Sequence, residues 1–279
     1  MEYLTLNNGI RMPLIGFGTF MLGGGTCTEA VSAAIENGCR MIDTAEAYGN
    51  EKEVGKGIKQ SGVAREELFL VTKVNFKSYE KAAQAVRQSL AALQTDYIDL
   101  LLLHWPFANY YAAWRSLEKL YTEGKVRAIG VSNFEPDQLL DLIAYNKVVP
   151  AVNQIETNPL FQQKASNKFL KGEGIQHEAW APFAEGQCDI FNNPTLKAIA
   201  ANHGKTTAQV VLRWLNQRGI AVIPKSVRRE RMEENISILD FTLSDVEMEA
   251  ISLLDTGRSP IYDDSDLSVT RYIGTLKIH

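Results

Sequence analysis

The stretch LFLVTKVNFKSYEKAAQAVRQSLAALQTDYIDLLLLH, residues 68–104, contains two apolar segments that flank one amphipathic segment. The outer segments, Leu68–Lys73 and Ile98–His104, are short and aliphatic, which predicts buried β-strands. Between them a helix is predicted from about Tyr79 to Gln94, because apolar residues recur near one helical face. The residues of this face are Ala82, Val86, Leu90 and Leu93. A strand, a helix and a second strand in this order are typical of a parallel sheet.

The same alternation extends along the chain in both directions. The predicted strands are Leu14–Phe17, Arg40–Asp43, Leu68–Lys73, Ile98–His104, Arg127–Ser132, Ala151–Gln154, Ile175–Trp180 and Ala221–Pro224. The longer interval before the last strand holds two helical patterns, Pro194–Asn202 and Thr206–Gln217. Eight strands at regular spacing favour an α/β fold of the (β/α)8 (TIM) barrel type over a doubly wound open sheet. Residues 1–279 then form a single domain, since such barrels have about 250 residues.

Local signals mark the two ends of this pattern. Residues 3–6, the turn Asn7-Asn8-Gly9 and a second strand from Ile10 predict an N-terminal β-hairpin. Thr28 is a candidate cap for the first helix of the barrel. Ser244 and Glu247 have capping-box spacing, which predicts the start of the last helix.

Composition excludes several classes of protein. The 29 basic and 33 acidic residues give a formal charge of −4, and no long basic run is present, which argues against a nucleic-acid partner. The sequence shows no signal peptide and no membrane-spanning stretch, so we expect a cytoplasmic protein with no membrane partner. The three scattered cysteines are expected to be reduced thiols, and their spacing suggests no metal site. We expect a monomer.

Polar residues follow the apolar strands where each strand is predicted to end. Asp43, Lys73 and His104 end the second, third and fourth strands, and Tyr48 follows Asp43 in a loop. Ser132-Asn133 and Gln154 end the next two strands. In a parallel barrel these ends converge on one mouth, where the active site belongs.

This set of residues suits the reduction of a carbonyl group. A carbonyl that accepts a hydride needs a proton, which Tyr48 can donate. The ammonium of Lys73 is expected to lower the pKa of Tyr48 from about 10, and Asp43 can hold Lys73 in place. His104 can donate a hydrogen bond to the carbonyl oxygen. Each residue taken alone has an ordinary structural interpretation, and the functional hypothesis depends on their joint pattern.

A candidate phosphate site follows the eighth strand. Lys225 and Ser226 precede a helical pattern that starts at about Arg229, and the backbone N–H groups at a helix start bind anions. Arg228 and Arg231 add positive charge, whereas Arg229 is interpreted as a solvated residue. A Rossmann fingerprint is absent, because Met21 occupies the third position after Gly16 and Gly18.

Four long motifs, in this order, carry a resemblance to a known family. They are MIDTAEAYGNEKEVG at 41–55, LLLLHWP at 100–106, GKVRAIGVSNF at 124–134 and IPKSVRRERMEEN at 223–235. The chain resembles the aldo-keto reductase family over nearly its whole length, and its short loops are similar to the bacterial branch that includes 2,5-diketogluconate and glyoxal reductases. The resemblance implies a (β/α)8 fold and the reduction of a small aldehyde or ketone, of the dicarbonyl or keto-sugar type, by NADPH.

The resemblance also assigns roles to individual residues. It implies a catalytic tetrad of Asp43, Tyr48, Lys73 and His104, with Tyr48 as the proton donor. Ser132, Asn133 and Gln154 would hold the nicotinamide carboxamide, and Trp180 would stack on the nicotinamide ring. Lys225, Ser226 and Arg231 would hold the adenosine phosphate, and Glu234 and Asn235 the adenine. The cofactor set further includes Gly18, Thr19, Pro182 and Val227, and the substrate pocket Phe20, Trp105 and Phe107.

The chain departs from the family pattern at several positions, among them residues 180–183, and two alternative functions remain. Arg228 stands where many relatives have a small hydroxyl residue, and the tail from Ile261 to His279 matches no assignable pattern. One alternative is a nucleotide-sensing binding module on the same fold, like the β subunits of potassium channels. The other is a barrel isomerase or lyase that uses Lys225 and Ser226 to bind the phosphate of a sugar substrate.

Overall fold

In the computed structural model, which describes residues 2–262, eight parallel strands form one continuous sheet. Each strand pairs with its neighbours in chain order. The strands are β3 (Phe17–Gly18), β4 (Met41–Asp43), β5 (Phe69–Val74), β6 (Ile98–Leu103), β7 (Val126–Ser132), β8 (Val152–Glu156), β9 (Gln176–Trp180) and β10 (Ala221–Val222). The prediction of eight parallel strands is confirmed, with ends that differ by a few residues from the predicted ones.

The first and last strands of this sheet meet, which closes the barrel. Ile15 forms a parallel bridge with Val222. The Gly16 N–H donates to the Val222 carbonyl at 2.8 Å, and the Val222 N–H donates to the Leu14 carbonyl at 3.0 Å. An open sheet would leave both edges unpaired, so the (β/α)8 barrel is confirmed and the doubly wound alternative is wrong.

The predicted hairpin is confirmed and covers the N-terminal end of the barrel. Its strands, β1 (Tyr3–Thr5) and β2 (Arg11–Pro13), pair antiparallel. In the turn, the Asn7 side chain donates to the Pro150 carbonyl and the Asn8 side chain to the Arg127 carbonyl, both at 3.0 Å. Because these carbonyls lie at the start of β8 and β7, this end is closed and the opposite end is left for a site.

Ten α-helices accompany the strands within residues 2–262. They are α1 (Gly24–Glu36), α2 (Glu51–Gln60), α3 (Ala82–Leu93), α4 (Tyr110–Thr122), α5 (Pro136–Ala144), α6 (Lys164–Gly172), α7 (Pro194–His203), α8 (Thr207–Gln217), α9 (Arg229–Ile236) and α10 (Asp245–Ser252). The two helices predicted between β9 and β10 are confirmed as α7 and α8. The Ser244 capping box is confirmed at the start of α10. None of these helices has the length and apolar character needed to cross a bilayer.

Two local predictions are wrong. Thr28 does not cap α1, because that helix begins at Gly24 and the Thr28 hydroxyl donates instead to the Glu53 carbonyl at 3.2 Å. The predicted helix from Tyr79 begins later, at Ala82, because residues 76–81 form a 3-10 helix in which Tyr79 is buried. The glycines at the start of α1 allow this early start, as Gly24, the first residue of the helix, has a left-handed backbone with φ of 52°.

The interior of the barrel changes character from one end to the other. Near the hairpin it is apolar, and Met12 of β2 packs with the strand residues Met41, Leu100 and Val152 in one cluster. Toward the carboxyl ends of the strands the buried residues include Asp43, Lys73, Gln154 and Glu178. Burying such polar side chains costs free energy unless they bond one another, so this end is where a functional site is expected.

Candidate active site

A buried ion pair lies at the centre of the barrel mouth. The Lys73 Nζ lies 2.6 Å from the Asp43 Oδ1, and both side chains are almost fully buried. Nζ also donates to the Thr44 carbonyl at 3.0 Å. Burial alone would lower the pKa of Lys73, but attraction to Asp43 and Tyr48 outweighs burial and the pKa ends above its usual value. Lys73 is therefore a fixed positive charge.

Tyr48 places its hydroxyl group next to this charge. The Lys73 Nζ donates to the Tyr48 hydroxyl at 3.4 Å, and the Tyr48 side chain is partly exposed at the barrel mouth. Lys73 lowers the pKa of Tyr48 as predicted, but burial is the larger effect, so the net pKa lies above the usual value. The prediction of a lowered pKa is thus wrong in its net direction. A tyrosine in this state is protonated at neutral pH and can donate a proton.

His104 faces the same opening as Tyr48. It is the first residue after β6, and its ring meets the Tyr48 ring edge-on with centroids 5.7 Å apart. Burial, and then the charge of Lys73, lower the pKa of His104 to about 3. The imidazole is therefore neutral at neutral pH and acts as a hydrogen-bond donor through one nitrogen, without carrying charge.

Ser132, Asn133 and Gln154 form a hydrogen-bonded belt beside His104. The Asn133 amide nitrogen donates to the His104 carbonyl at 3.0 Å and to the Ser132 hydroxyl at 3.1 Å. The Ser132 hydroxyl donates to the Gln154 carbonyl at 2.8 Å, and the Trp180 indole donates to the Asn133 Oδ1, also at 2.8 Å. Asn133 has a left-handed backbone with φ of 63°, which is strained for a non-glycine residue. The belt ties the ends of β6, β7, β8 and β9 together.

Aromatic side chains line the outer part of the mouth. The Phe20 and Tyr48 rings lie 5.0 Å apart, and the Trp105 and Phe107 rings stack at 5.7 Å. The Trp105 backbone is fixed, since its carbonyl accepts a hydrogen bond of 2.7 Å from the Tyr79 hydroxyl. Of the predicted substrate residues, Phe20 thus contacts Tyr48, Trp105 follows His104 in the chain, and Phe107 packs on Trp105.

The tail reaches the same aromatic group at its first residues. Tyr262 lies parallel to Trp180, with centroids 6.2 Å apart, and edge-on to Trp105 at 6.3 Å. The rest of the unassigned tail, residues 263–279, lies outside the described residues.

Besides the barrel mouth, the structure has an open cavity of about 510 Å³ between the starts of α1 and α9. Its lining residues are Met21, Leu22, Gly23, Thr26, Lys225, Ser226, Val227, Arg228 and Arg231. The cavity includes Gly23 and Arg228, the residues that precede these two helices, and neither helix start has a side-chain cap among residues 2–262. Their backbone N–H groups are therefore available to an anion.

Three cations of this cavity have no ion-pair partner within the described part of the chain. Lys225, Arg228 and Arg231 form no ion pair with any carboxylate of residues 2–262. In contrast, Arg229, which was interpreted as a solvated residue, is exposed, lies 2.6 Å from Glu36 and does not line the cavity. Three unpaired cations at two helix starts fit a phosphate group, and Arg228 joins the predicted residues there.

The sequence model of the aldo/keto reductase family matches residues 14–255, which is most of the chain. The chain belongs to the aldo/keto reductase family. The resemblance seen in the four motifs is therefore confirmed, and the protein is an oxidoreductase that acts on carbonyl compounds.

Individual relatives of this reductase support the assignment. It is 49% identical over 257 residues to a glyoxal reductase from Bacillus subtilis, covering 91% of this chain and 92% of the relative. It is 45% identical over 274 residues to a morphine 6-dehydrogenase from Pseudomonas putida, covering 91% of both chains. A crystal structure of a Bombyx mori aldo-keto reductase in complex with NADP superposes with a TM-score of 0.90 at 33% identity, covering 96% of each chain.

The remaining residues that were predicted to bind the cofactor lie in different parts of the structure. Gly18 packs so tightly that an added Cβ would lie 2.8 Å from the Ile223 carbonyl oxygen. The Thr19 hydroxyl donates to the Asp43 carbonyl at 2.9 Å, so it supports the ion pair. Pro182 is buried just after β9. Glu234 and Asn235 lie near the end of α9 and do not line the cavity. Their assignment to adenine stays a prediction.

Sequence reasoning missed two groups of residues in the reductase. Glu178 is buried and accepts a hydrogen bond from Gln154, and a charged residue within a predicted strand of the barrel was the available signal. Gly23 and Thr26 line the cavity between α1 and α9, and neither carries a charge that would have marked it in the sequence as an anion contact.

The pH dependence of turnover tests the state of His104. Since its pKa is lowered to about 3, the imidazole stays neutral from about pH 5 to 7, where an ordinary histidine titrates. We expect kcat for carbonyl reduction, measured with saturating NADPH, to be flat over this range. An inflection near pH 6.5 that disappears in His104→Gln would show instead that His104 acts as a charged acid.

Proposed function

We propose that this reductase transfers a hydride from NADPH to a small aldehyde or ketone, of the dicarbonyl or keto-sugar type, and that Tyr48 donates the proton. The observation that carries the proposal is the Asp43–Lys73–Tyr48 arrangement, in which a buried ion pair of 2.6 Å lies against a protonated tyrosine hydroxyl. We also propose that residues 1–279 act as one domain, as a monomer in the cytoplasm.

The residues of the mouth divide the reaction among them. NADPH supplies the hydride when bound. His104 donates a hydrogen bond to the carbonyl oxygen and sets its direction, while Phe20 and Trp105 exclude water from the reacting carbon. As negative charge grows on that oxygen, the Tyr48 hydroxyl donates its proton, and the fixed charge of Lys73 stabilises the phenolate that remains. Asp43 holds Lys73 in position throughout.

Cofactor choice is proposed from the cavity between α1 and α9. NADPH differs from NADH by one phosphate with nearly two negative charges. Lys225, Arg228 and Arg231, together with two uncapped helix starts, provide a matching positive site. The related Bombyx mori structure with NADP supports the same choice.

A panel of substrates tests the proposed substrate class. We expect glyoxal, methylglyoxal and simple keto-sugars to oxidise NADPH in the presence of the enzyme, and bulky ketones to react more slowly. The glyoxal reductase among the relatives supports this order, whereas the morphine 6-dehydrogenase favours the opposite one. Faster turnover of polycyclic ketones than of dicarbonyls would contradict the proposed substrate class.

Arg231→Ala should weaken NADPH binding and leave NADH binding nearly unchanged. A hydrogen bond to a charged group contributes about 1.5–3 kcal/mol, and because Arg231 is exposed we expect a loss near the lower end, about tenfold. Titration of cofactor fluorescence gives both affinities. Arg229→Ala is the matched control, since Arg229 is paired with Glu36 outside the cavity. Equal losses for NADPH and NADH would show that Arg231 supports the loop and does not bind the phosphate.

A further inference from the structure

The Gln154 side chain lies between two buried acids. Its amide nitrogen donates to the Asp43 Oδ2 and to the Glu178 Oε2, both at 2.9 Å. Gln154 and Glu178 are direct neighbours in the register of β8 and β9. Glu178 is fully buried and does not line the cavity between α1 and α9.

We propose that Glu178 is a positioning residue that locks the Gln154 amide so that its carbonyl oxygen faces the nicotinamide carboxamide. This inference rests on the proposed function, because it assumes that NADPH is the cofactor and that its nicotinamide binds beside Gln154, as the resemblance implies. It assigns a role in cofactor orientation to a residue that touches neither cofactor nor substrate.

The neighbours of Gln154 determine the orientation of its amide. The Asp43 carboxylate, which is paired with Lys73, can only accept hydrogen bonds, so the group that contacts it must be the amide NH2, whose second hydrogen is directed at Glu178. The amide oxygen is thereby turned away from both acids. It accepts no hydrogen bond from residues 2–262 and is not sealed within the core. An acceptor in this position pairs with the NH2 group of a carboxamide.

Burying the Glu178 carboxyl group costs more free energy than a purely structural role would require. Its second oxygen, Oε1, is buried without a hydrogen-bond partner among residues 2–262. Burial, and then the negative charge of Asp43, raise the pKa of Glu178 to about 8. An apolar side chain of similar size would avoid both costs, so the acid does not serve stability best. The contact that it provides is the second anchor of the Gln154 amide.

The test compares the affinities of two ligands that share the adenosine phosphates and differ in the nicotinamide. NADP+ carries the nicotinamide, whereas adenosine 2′,5′-bisphosphate carries the adenosine phosphates and lacks it. In Glu178→Leu the Gln154 amide keeps one anchor, so we expect the affinity for NADP+ to fall about two- to tenfold, which corresponds to one hydrogen bond. The affinity for adenosine 2′,5′-bisphosphate should stay unchanged, and the melting temperature should stay equal or rise.

The control variant keeps the acceptor. Glu178→Gln preserves a carbonyl oxygen that can accept the hydrogen bond from the Gln154 amide, and its NADP+ affinity should equal that of the wild type. Glu178→Ala removes the same acceptor with a smaller side chain and replaces Glu178→Leu if the latter does not fold.

A double variant shows whether Glu178 acts through Gln154. Gln154→Leu alone should weaken NADP+ selectively, and adding Glu178→Leu to it should cause no further loss. Losses that are additive, equal for both ligands or absent would overturn the proposal. If the wild-type protein binds neither ligand, the proposed cofactor is wrong. If the wild type binds both ligands and Glu178→Leu shows no selective loss, the cofactor stands and the proposed role of Glu178 is wrong.

Discussion

Tyr48→Phe should lower kcat for carbonyl reduction by about 100- to 10,000-fold, the usual contribution of a general acid. The substitution removes the hydroxyl group 3.4 Å from the Lys73 Nζ and keeps the ring that contacts Phe20 and His104. The dissociation constant for NADPH should therefore change by no more than a few-fold. Steady-state kinetics and fluorescence titration give the two values.

The matched control is Tyr79→Phe, a buried tyrosine whose hydroxyl bonds the Trp105 backbone and not Lys73. Its kcat should change far less than that of Tyr48→Phe, although Trp105 becomes less well fixed. A Tyr48→Phe enzyme with kcat within a few-fold of the wild type would show that another group donates the proton.

Lys73→Met should be the most destabilising of these substitutions and should also abolish most of the activity. Removing one partner of a buried ion pair leaves the other charge uncompensated, at a cost of about 3–5 kcal/mol in the free energy of unfolding. The side chains of Lys73 and Asp43 are almost fully buried, so water cannot replace the lost bond. Denaturant unfolding measures the stability, and turnover per folded molecule measures the activity.

Adding Asp43→Asn to Lys73→Met separates the two effects. With neither charge present, no ion is stranded in the core, so we expect the double variant to be more stable than Lys73→Met alone. Its activity should remain low, because Tyr48 still lacks the neighbouring positive charge. Recovery of activity together with stability would contradict the assigned role of Lys73.

The sequence alone was sufficient for the barrel and for the convergence of Asp43, Tyr48, Lys73 and His104 at its mouth. Apolar segments at regular spacing define the strands, and in a parallel barrel their carboxyl ends must converge. Contacts that depend on sheet register were not predictable, since a shift of one residue exchanges the two faces of a strand. The pairing of Gln154 with Glu178 across β8 and β9 is such a contact.

The balance between burial and attraction to Lys73, which sets the pKa of Tyr48, was a second property that could not be predicted from the sequence. The sequence indicates that Lys73 lies near Tyr48, and attraction to the ammonium lowers the tyrosine pKa. It does not indicate how deeply the hydroxyl is buried, and in the structure burial outweighs the attraction and raises that pKa. The start of α1 was missed for a related reason, because whether Gly24 and Gly25 form a loop or a helical turn depends on their neighbours in space.

The most direct test of the central claim is to mix the protein with NADPH and follow cofactor fluorescence and absorbance before and after adding methylglyoxal. We expect the fluorescence to change on binding, and the absorbance then to fall in proportion to the alcohol formed, with Tyr48→Phe giving the first signal and almost none of the second. Binding without turnover across the whole panel of carbonyls would indicate a nucleotide-sensing module, and the absence of binding would contradict the account of both the cavity and the reaction.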